Sequence, residues 1–252
     1  MSRSAPTAFL ALWNSISSPA LQPEYESWHT FEHVPERVGL PGFVEARRYR
    51  SHRSVARPEA KSPPDYFTCY WLTDIKALNS PEYTDVFASP TAWSARMRLE
   101  LRDFFRLPCQ LAGSCGQSSA SQLATIYFSG DALRLAEGAA KDLPQRVQRG
   151  EFVSAHWGTV AETSSFPVSN QQAAGKPTFV VMLQGLDHNA LTVSAQQVAG
   201  TLAPLAQSAS QAAFFELLSQ VRQDELTQTA GLRQPPRPDL YKQFQSETNH
   251  AH

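Results

Sequence analysis

Apolar and aromatic positions recur along the chain with a strand period in some stretches and a helix period in others, and their order predicts the elements. The run from Phe9 to Ile16 is apolar and aromatic and reads as a strand. From Pro23, which suits a first helical turn, Tyr25, Trp28, Phe31, Val34 and Val38 fall broadly on one side of a helical wheel and predict a helix. The Pro41-Gly42 pair signals a turn, after which Phe43 to Arg50 reads as a second strand. A polar, Pro-rich connection from Ser51 to Pro64 leads to a third strand, Tyr66 to Leu72. The stretch Asn79 to Asp103 opens at Ser80-Pro81-Glu82 as a helix that Pro90 must break in two. Phe104 to Leu111 supplies a last strand.

The same series then begins again. VPERVGLPGFVEA from Val34 matches LPQRVQRGEFVSA from Leu143 at an offset of 109 residues, so that Pro35, Arg37, Val38, Phe43, Val44 and Ala46 recur as Pro144, Arg146, Val147, Phe152, Val153 and Ala155. FTCYWLTDIKAL from Phe67 resembles FVVMLQGLDHNAL from Phe179, with Asp74 and Leu78 recurring as Asp187 and Leu191. Leu123 to Ser129 is the second first strand, and Ser164 to Lys176 the second polar connection. Two matches in the same order argue for a duplication.

Each copy reads βαββαβ, the ferredoxin-like unit of the α+β class, in which helices cover only one sheet face. Two copies can pack their bare faces together, and the expected fold is two tandem ferredoxin-like halves packed sheet to sheet as an intramolecular dimeric α/β barrel. Residues 1–113 form the half with the candidate site, and 120–225 the degenerate half. Ala112 to Gln122, rich in Ser and Gly, is the linker. Residues 226–252 are a polar tail in which Pro235, Pro236 and Pro238 argue against any regular element.

Composition narrows the function classes. The 252 residues carry 22 Lys and Arg against 23 Asp and Glu, a net charge of -1, so nothing draws the chain to nucleic acid or to an anionic membrane. No apolar run approaches the roughly 18 to 20 residues of a spanning helix, and a cytoplasmic location is expected. Cys69, Cys109 and Cys115 form no CxxC pair and read as buried fillers. No nucleophile elbow, GxGxxG or P-loop pattern occurs, so no cofactor is expected. With both sheets covered, the expected state is a monomer or weak homodimer that takes a small-molecule substrate.

The segment YESWHTFEHVPERVGLPGFVEARRY, Tyr25 to Tyr49, with its W-H-x-x-E-H-x-P-E-R run, P-G-F and R-R-Y, resembles the EthD-like branch of the dimeric α/β-barrel superfamily. SPEYTDVFASPTAW, Ser80 to Trp93, is similar to the second-helix region of that group. The resemblance implies cofactor-poor small-molecule chemistry between sheet and helices, by isomerases, dehydratases, polyketide cyclases or monooxygenases, with some haem-binding branches.

His29 and His33 stand four apart on one helix face beside Tyr25 and Trp28. A histidine at the edge of a buried cavity can exchange protons with a substrate, which assigns His33 as general acid or base, His29 as its partner, and Glu32 or Glu36 as the orienting carboxylate. At the 109-residue offset His29, Glu32 and His33 become Gly138, Lys141 and Asp142, which favours one active site in the first half. The other reading is a half-buried helix whose histidines cap carbonyls and pair with neighbouring glutamates. His29 to His33 also matches H-x-x-E-H, a zinc-binding helix pattern, but Pro35 follows too closely and no downstream carboxylate has a supporting motif, so no metal is expected. Alternation along the second strand puts Arg47 with Phe43, Glu45 and Tyr49 on one face and Arg48 with Val44 and Ala46 on the other. Arg47 is the expected anion anchor, the alternative being a salt bridge to Glu45 or Asp74. Trp28, Tyr49, Trp13, Asn14, Tyr70 and His156 complete the expected substrate-binding wall. The function expected on this basis is a cofactor-independent lyase or isomerase dehydrating, cyclising or shifting a double bond in a small aromatic, polyketide-like or lactone substrate. The alternatives are a non-catalytic barrel for a hydrophobic ligand or partner, and a monooxygenase of the same fold type.

Overall fold

A computed structural model of the chain describes residues 5–52, 64–162, 176–226 and 232–245. Most of the connection from Ser51 to Pro64 and of that from Ser164 to Lys176 lies outside the described residues. The first half runs β1 (Ala8–Ile16), α1 (Gln22–Trp28), a π-helical turn (His29–His33), α2 (Val34–Val38), β2 (Phe43–Ser51), β3 (Tyr66–Leu72), α3 (Pro81–Ala88), α4 (Ala92–Arg98) and β4 (Leu101–Cys115). The second runs β5 (Gln122–Gly130), α5 (Ala132–Gln148), β6 (Ser154–Val160), β7 (Phe179–Gly185), α6 (His188–Leu202), β8 (Ala206–Ala209) and β9 (Ala213–Arg222), followed by α7 (Pro238–Gln245).

The strands pair antiparallel in the order β4-β1-β3-β2 and β6-β7-β5-β9, and the β2–β9 and β4–β6 ladders join the two rows into a closed eight-stranded barrel, with β8 beside β5. The expected barrel is therefore present. Closure removes the sheet edges that would otherwise pair with other chains. Inside, Phe9, Ala11, Trp13, Tyr49, Phe67, Trp71, Phe105, Leu107, Leu123, Val180, Met182 and Phe215 form one apolar core. Outside, α2 and α3 lie on a second core containing Leu10, Val38, Phe43, Tyr70 and Val86, and α5 and α6 on a third containing Phe128, Leu143, Phe179 and Leu191.

Local chemistry explains the boundaries. Ser80 caps α3 by accepting from the Tyr83 N–H, Pro90 ends it, and Thr91 caps α4. Where β4 meets β6, Gly158 has no room for a side chain: a Cβ would stand 2.6 Å from the Phe9 ring and 2.7 Å from the Gln110 carbonyl oxygen. Gly158→Ala is expected to cost about 1 to 3 kcal/mol through overpacking, read as a lower denaturant midpoint at unchanged slope.

Four expectations are corrected. Phe31 is 52% exposed, because the π-helical turn breaks the phase of the wheel that grouped it with Trp28 and Val34. The ladder between β2 and β3 shifts register between Phe43 and Glu45, so Val44 is a bulge: Phe43 joins the outer core with Ala46, and Val44 packs inward. The expected linker is strand as far as Cys115. The tail forms α7, since Pro238 can start a helix and Leu240, Tyr241 and Phe244 then share a face that packs on Trp93. Among the described residues no helix is long and apolar enough to cross a membrane.

Candidate active site

The π-helical turn sets the site. The Val34 N–H donates to the carbonyl of His29, five residues back, and Pro35, which has no N–H, follows at once. Such single π-turns concentrate at functional positions. Here the turn carries both histidines and Glu32, with Glu36 just beyond it.

His29 and His33 stack with ring centroids 4.7 Å apart and planes at 27°. Tyr25 covers the other face of His29 at 5.1 Å, and Trp28 approaches His33 at 4.2 Å. Trp28 is held by its indole N–H to Ser94 Oγ, and Tyr25 by its hydroxyl to Asn14 Oδ1, each at 3.1 Å. Arg48 reaches this column from β2, its guanidinium carbon 5.8 Å from the Tyr25 ring. The bonds it makes, to Thr30 Oγ1 and the Glu26 carbonyl, are to neutral oxygens. Tyr70 rises from β3 on the same outer face. His29 Nδ1, His33 Nδ1, Arg48 Nη2 and the Tyr70 hydroxyl are all buried without a hydrogen-bond partner. Buried polar groups are ordinarily satisfied, so these four in one layer, like Arg47 Nε and His156 Nδ1 inside the barrel, are points where a water or a ligand atom could bond.

Electrostatics sharpens the picture. Burial first, then Arg48 and Arg37, hold the His29 imidazole well below the usual histidine range. His33 is lowered in the same way by burial, then by Arg37 and His29. Burial also raises the Tyr70 phenol, and pushes Tyr25 up to about 12. At neutral pH the layer thus holds two uncharged imidazoles, uncharged phenols and the Arg48 cation. A buried cation whose hydrogen bonds go to neutral oxygens complements an anion, although the Glu26 carboxylate already acts on Arg48 and supplies part of its counter-charge.

The structure divides the expected site residues between two places. His29, His33, Trp28, Asn14 and Tyr70 lie in the layer between helices and sheet. Arg47, Tyr49, Trp13 and His156 point into the barrel, on the opposite face of the sheet. The expected convergence of His33 with Arg47 is not found, because consecutive strand residues face opposite ways and it is Arg48 that meets the histidines. Nor do the glutamates orient the imidazoles. Glu32 accepts from Thr91 Oγ1 (2.5 Å) and the Arg237 N–H (2.7 Å), and Glu36 from Arg233 (2.8 and 2.6 Å) and Arg37 (3.3 Å).

Inside the barrel, Arg47 pairs with Glu45 at 2.9 Å and donates to Ser119 Oγ at 2.9 Å, while its Nε has no partner. His156 stands edge-on to Trp71 at 4.8 Å, Gln184 donates to the Tyr49 hydroxyl at 3.1 Å, and Trp13 donates to Thr125 at 3.2 Å. The cavity they enclose is about 10 Å³, enough for one water and far below a substrate. Burial and Arg47 lower His156 to about 4.

Two buried histidines, His29 and His33, and the partly buried His156, all held neutral, make stability pH-dependent. Below pH 6.5 the unfolded chain takes up protons that the folded chain refuses, so folding stability is full above that pH. It falls by up to about 1.4 kcal/mol per pH unit for each histidine as the pH drops, ending near pH 4 for His156. Urea midpoints measured from pH 7.5 to 4.5 are expected to decline accordingly, and His33→Phe to flatten the decline.

Metal and haem do not fit the pair as arranged. Nearly parallel stacked rings do not converge their in-plane lone pairs on one ion, and among the described residues no group of three His, Cys, Asp or Glu side chains is placed to hold one. A haem iron would need the in-plane lone pair of an imidazole nitrogen open to it, and both rings are enclosed, at 3% and 8% exposure.

Sequence reasoning missed Arg48, Thr30 and Tyr25. The signal that could have found Arg48 was its place two residues after the small Ala46 on the helix-covered face of β2.

No described protein family and no curated protein matches the chain. Solved structures do. An anthrone oxidase-like protein superposes with a TM-score of 0.62 at 8% identity, covering 92% of this chain and 98% of that one. A putative monooxygenase from Fusobacterium nucleatum gives 0.55 at 10% identity, covering 86% and 95%. One from Lactobacillus acidophilus gives 0.53 at 8%, covering 87% and 97%. At such identities the likeness is one of fold: a mixed α+β chain closed into an antiparallel barrel of the dimeric α/β-barrel type.

Proposed function

We propose that the chain is a small-molecule oxidase of the internal monooxygenase kind, acting on an electron-rich aromatic carbon acid. It would work in the layer between the π-turn and strands β2 and β3. The observation that carries this reading is the set of four buried, unpartnered groups, His29 Nδ1, His33 Nδ1, Arg48 Nη2 and the Tyr70 hydroxyl, around an aromatic column. His33, the more exposed imidazole, takes a proton from an activated methylene flanked by aromatic rings. Arg48 and the Tyr70 hydroxyl stabilise the oxyanion form of the resulting conjugated anion, and Tyr25 and Trp28 bound its planar body. The anion gives its electrons to O2: one oxygen atom becomes the product carbonyl and the other leaves as water, so R2CH2 + O2 yields R2CO + H2O.

The lyase or isomerase chemistry expected from the sequence would use the same base without oxygen. The resemblance in fold to proteins named oxidase-like and monooxygenase moves the reading to the oxygen-consuming alternative. The two rows of strands, 4-1-3-2 and its counterpart, together with the repeated sequence, support a duplication with halves at 1–113 and 120–225, of which the first keeps the site.

The test is oxygen uptake with an anthrone as substrate under 18O2. Uptake with one labelled oxygen in the carbonyl product supports the reading. Binding without uptake points to the non-catalytic barrel, and conversion without oxygen restores the lyase or isomerase.

A further inference from the structure

Residues 232–245 cross the first helical layer beside the π-turn and are tied down at three points. The Arg233 guanidinium donates twice to Glu36 Oε1 (2.8 and 2.6 Å), and also to Asp85 (2.9 Å) and the Ser89 carbonyl (2.7 Å). The Arg237 N–H donates to Glu32 (2.7 Å). Tyr241 lies flat on Trp93, centroids 5.5 Å apart and planes at 17°. Beneath this strap the Glu32 and Glu36 residues are 2% and 1% exposed. The strap passes so close to Gly39, at the end of α2, that a Cβ there would stand 2.4 Å from the Leu232 carbonyl oxygen and 3.1 Å from the Gln234 side chain. Between the strap and the α3–α4 corner runs a groove of about 350 Å³, lined by Ser89, Pro90, Thr91, Arg233, Gln234 and Pro235. It borders Thr91, whose hydroxyl is bonded to Glu32 on the π-turn.

The turn that presents His29 and His33, through Glu32, and the helix α2 that follows it, through Glu36, are thus anchored to a strap about 200 residues later in sequence. We propose that the strap gates the site, with Arg233 on Glu36 as the latch. Latched, it seals the imidazoles; released, it frees the π-turn and extends the groove to them. Arg233 lines that groove, so a substrate that carries an ionised phenolate or carboxylate beside its methylene carbon meets the latch cation first and competes with Glu36 for it. The identity of the gated cargo rests on the oxidase reading, but the gate itself does not.

The experiment is diethyl pyrocarbonate modification of the full chain, followed histidine by histidine by mass spectrometry, in the wild type, Arg233→Gln and Gly39→Ala. Freeing the strap raises the open population, so both variants should raise the rate at His29 and His33 roughly tenfold and leave His188 unchanged. Equal rates in all three folded proteins overturn the proposal. Should Arg233→Gln fail to fold, Gly39→Ala and the wild type in about 1 M salt, which weakens part-exposed ion pairs, give the same readout. No acceleration in either overturns the gate. Modification does not require turnover, so the gate and the oxidase reading fail separately.

Discussion

His33→Ala is expected to lower oxygen-dependent turnover by roughly 10² to 10⁴, the usual contribution of a positioned proton-transfer group. Because His33 Nδ1 has no partner, the change leaves no hydrogen-bonding group stranded there. Its cost is a cavity beside Trp28, about 1 to 3 kcal/mol, visible as a lower melting temperature in a protein that still folds. The pH profile adds a signature. Burial and Arg37 hold this imidazole neutral well below the ordinary histidine range, so the wild-type rate should not fall as the pH passes down through 6.5. A rate that halves near pH 6.5 would mean that an ordinary, exposed histidine carries the step.

Arg48→Met should separate activity from stability. Methionine fills much of the same space without a charge, and replacing a buried cation by an apolar side chain is often neutral or stabilising. Turnover, however, loses the group that faces the developing oxyanion, and a drop of roughly 10² to 10³ is expected. Melting temperature and turnover measured on one preparation decide the matter: equal or higher stability with lost activity fits a functional arginine. Lost stability with retained activity would make Arg48 a structural strut for Thr30 and Tyr25.

How far the sequence spoke can be traced residue by residue. The helix start at Ser80 and the break at Pro90 are local features, and the two helices they predict are present. The i, i+4 spacing of His29 and His33 placed them together because any helical turn brings such residues near one another. The bulge at Val44 was hidden, since a bulge depends on how two strands meet. The π-turn was hidden too, and with it the exposure of Phe31. The partners of Glu32 and Glu36 lie in a segment about 200 residues away, and no periodicity reports contacts over that span. Arg47 was the expected anion anchor, yet its face of β2 closes on Glu45 and a water-sized cavity.

The most direct test is where a ligand sits. A crystal structure with a planar aromatic ketone, the product class of the proposed reaction, is expected to show it between the π-turn and strands β2 and β3. Its oxygen should lie within hydrogen-bond distance of Arg48 or the Tyr70 hydroxyl, and its ring edge should face His33. A ligand found instead inside the barrel, against Arg47 and His156, would contradict the assignment of the active site.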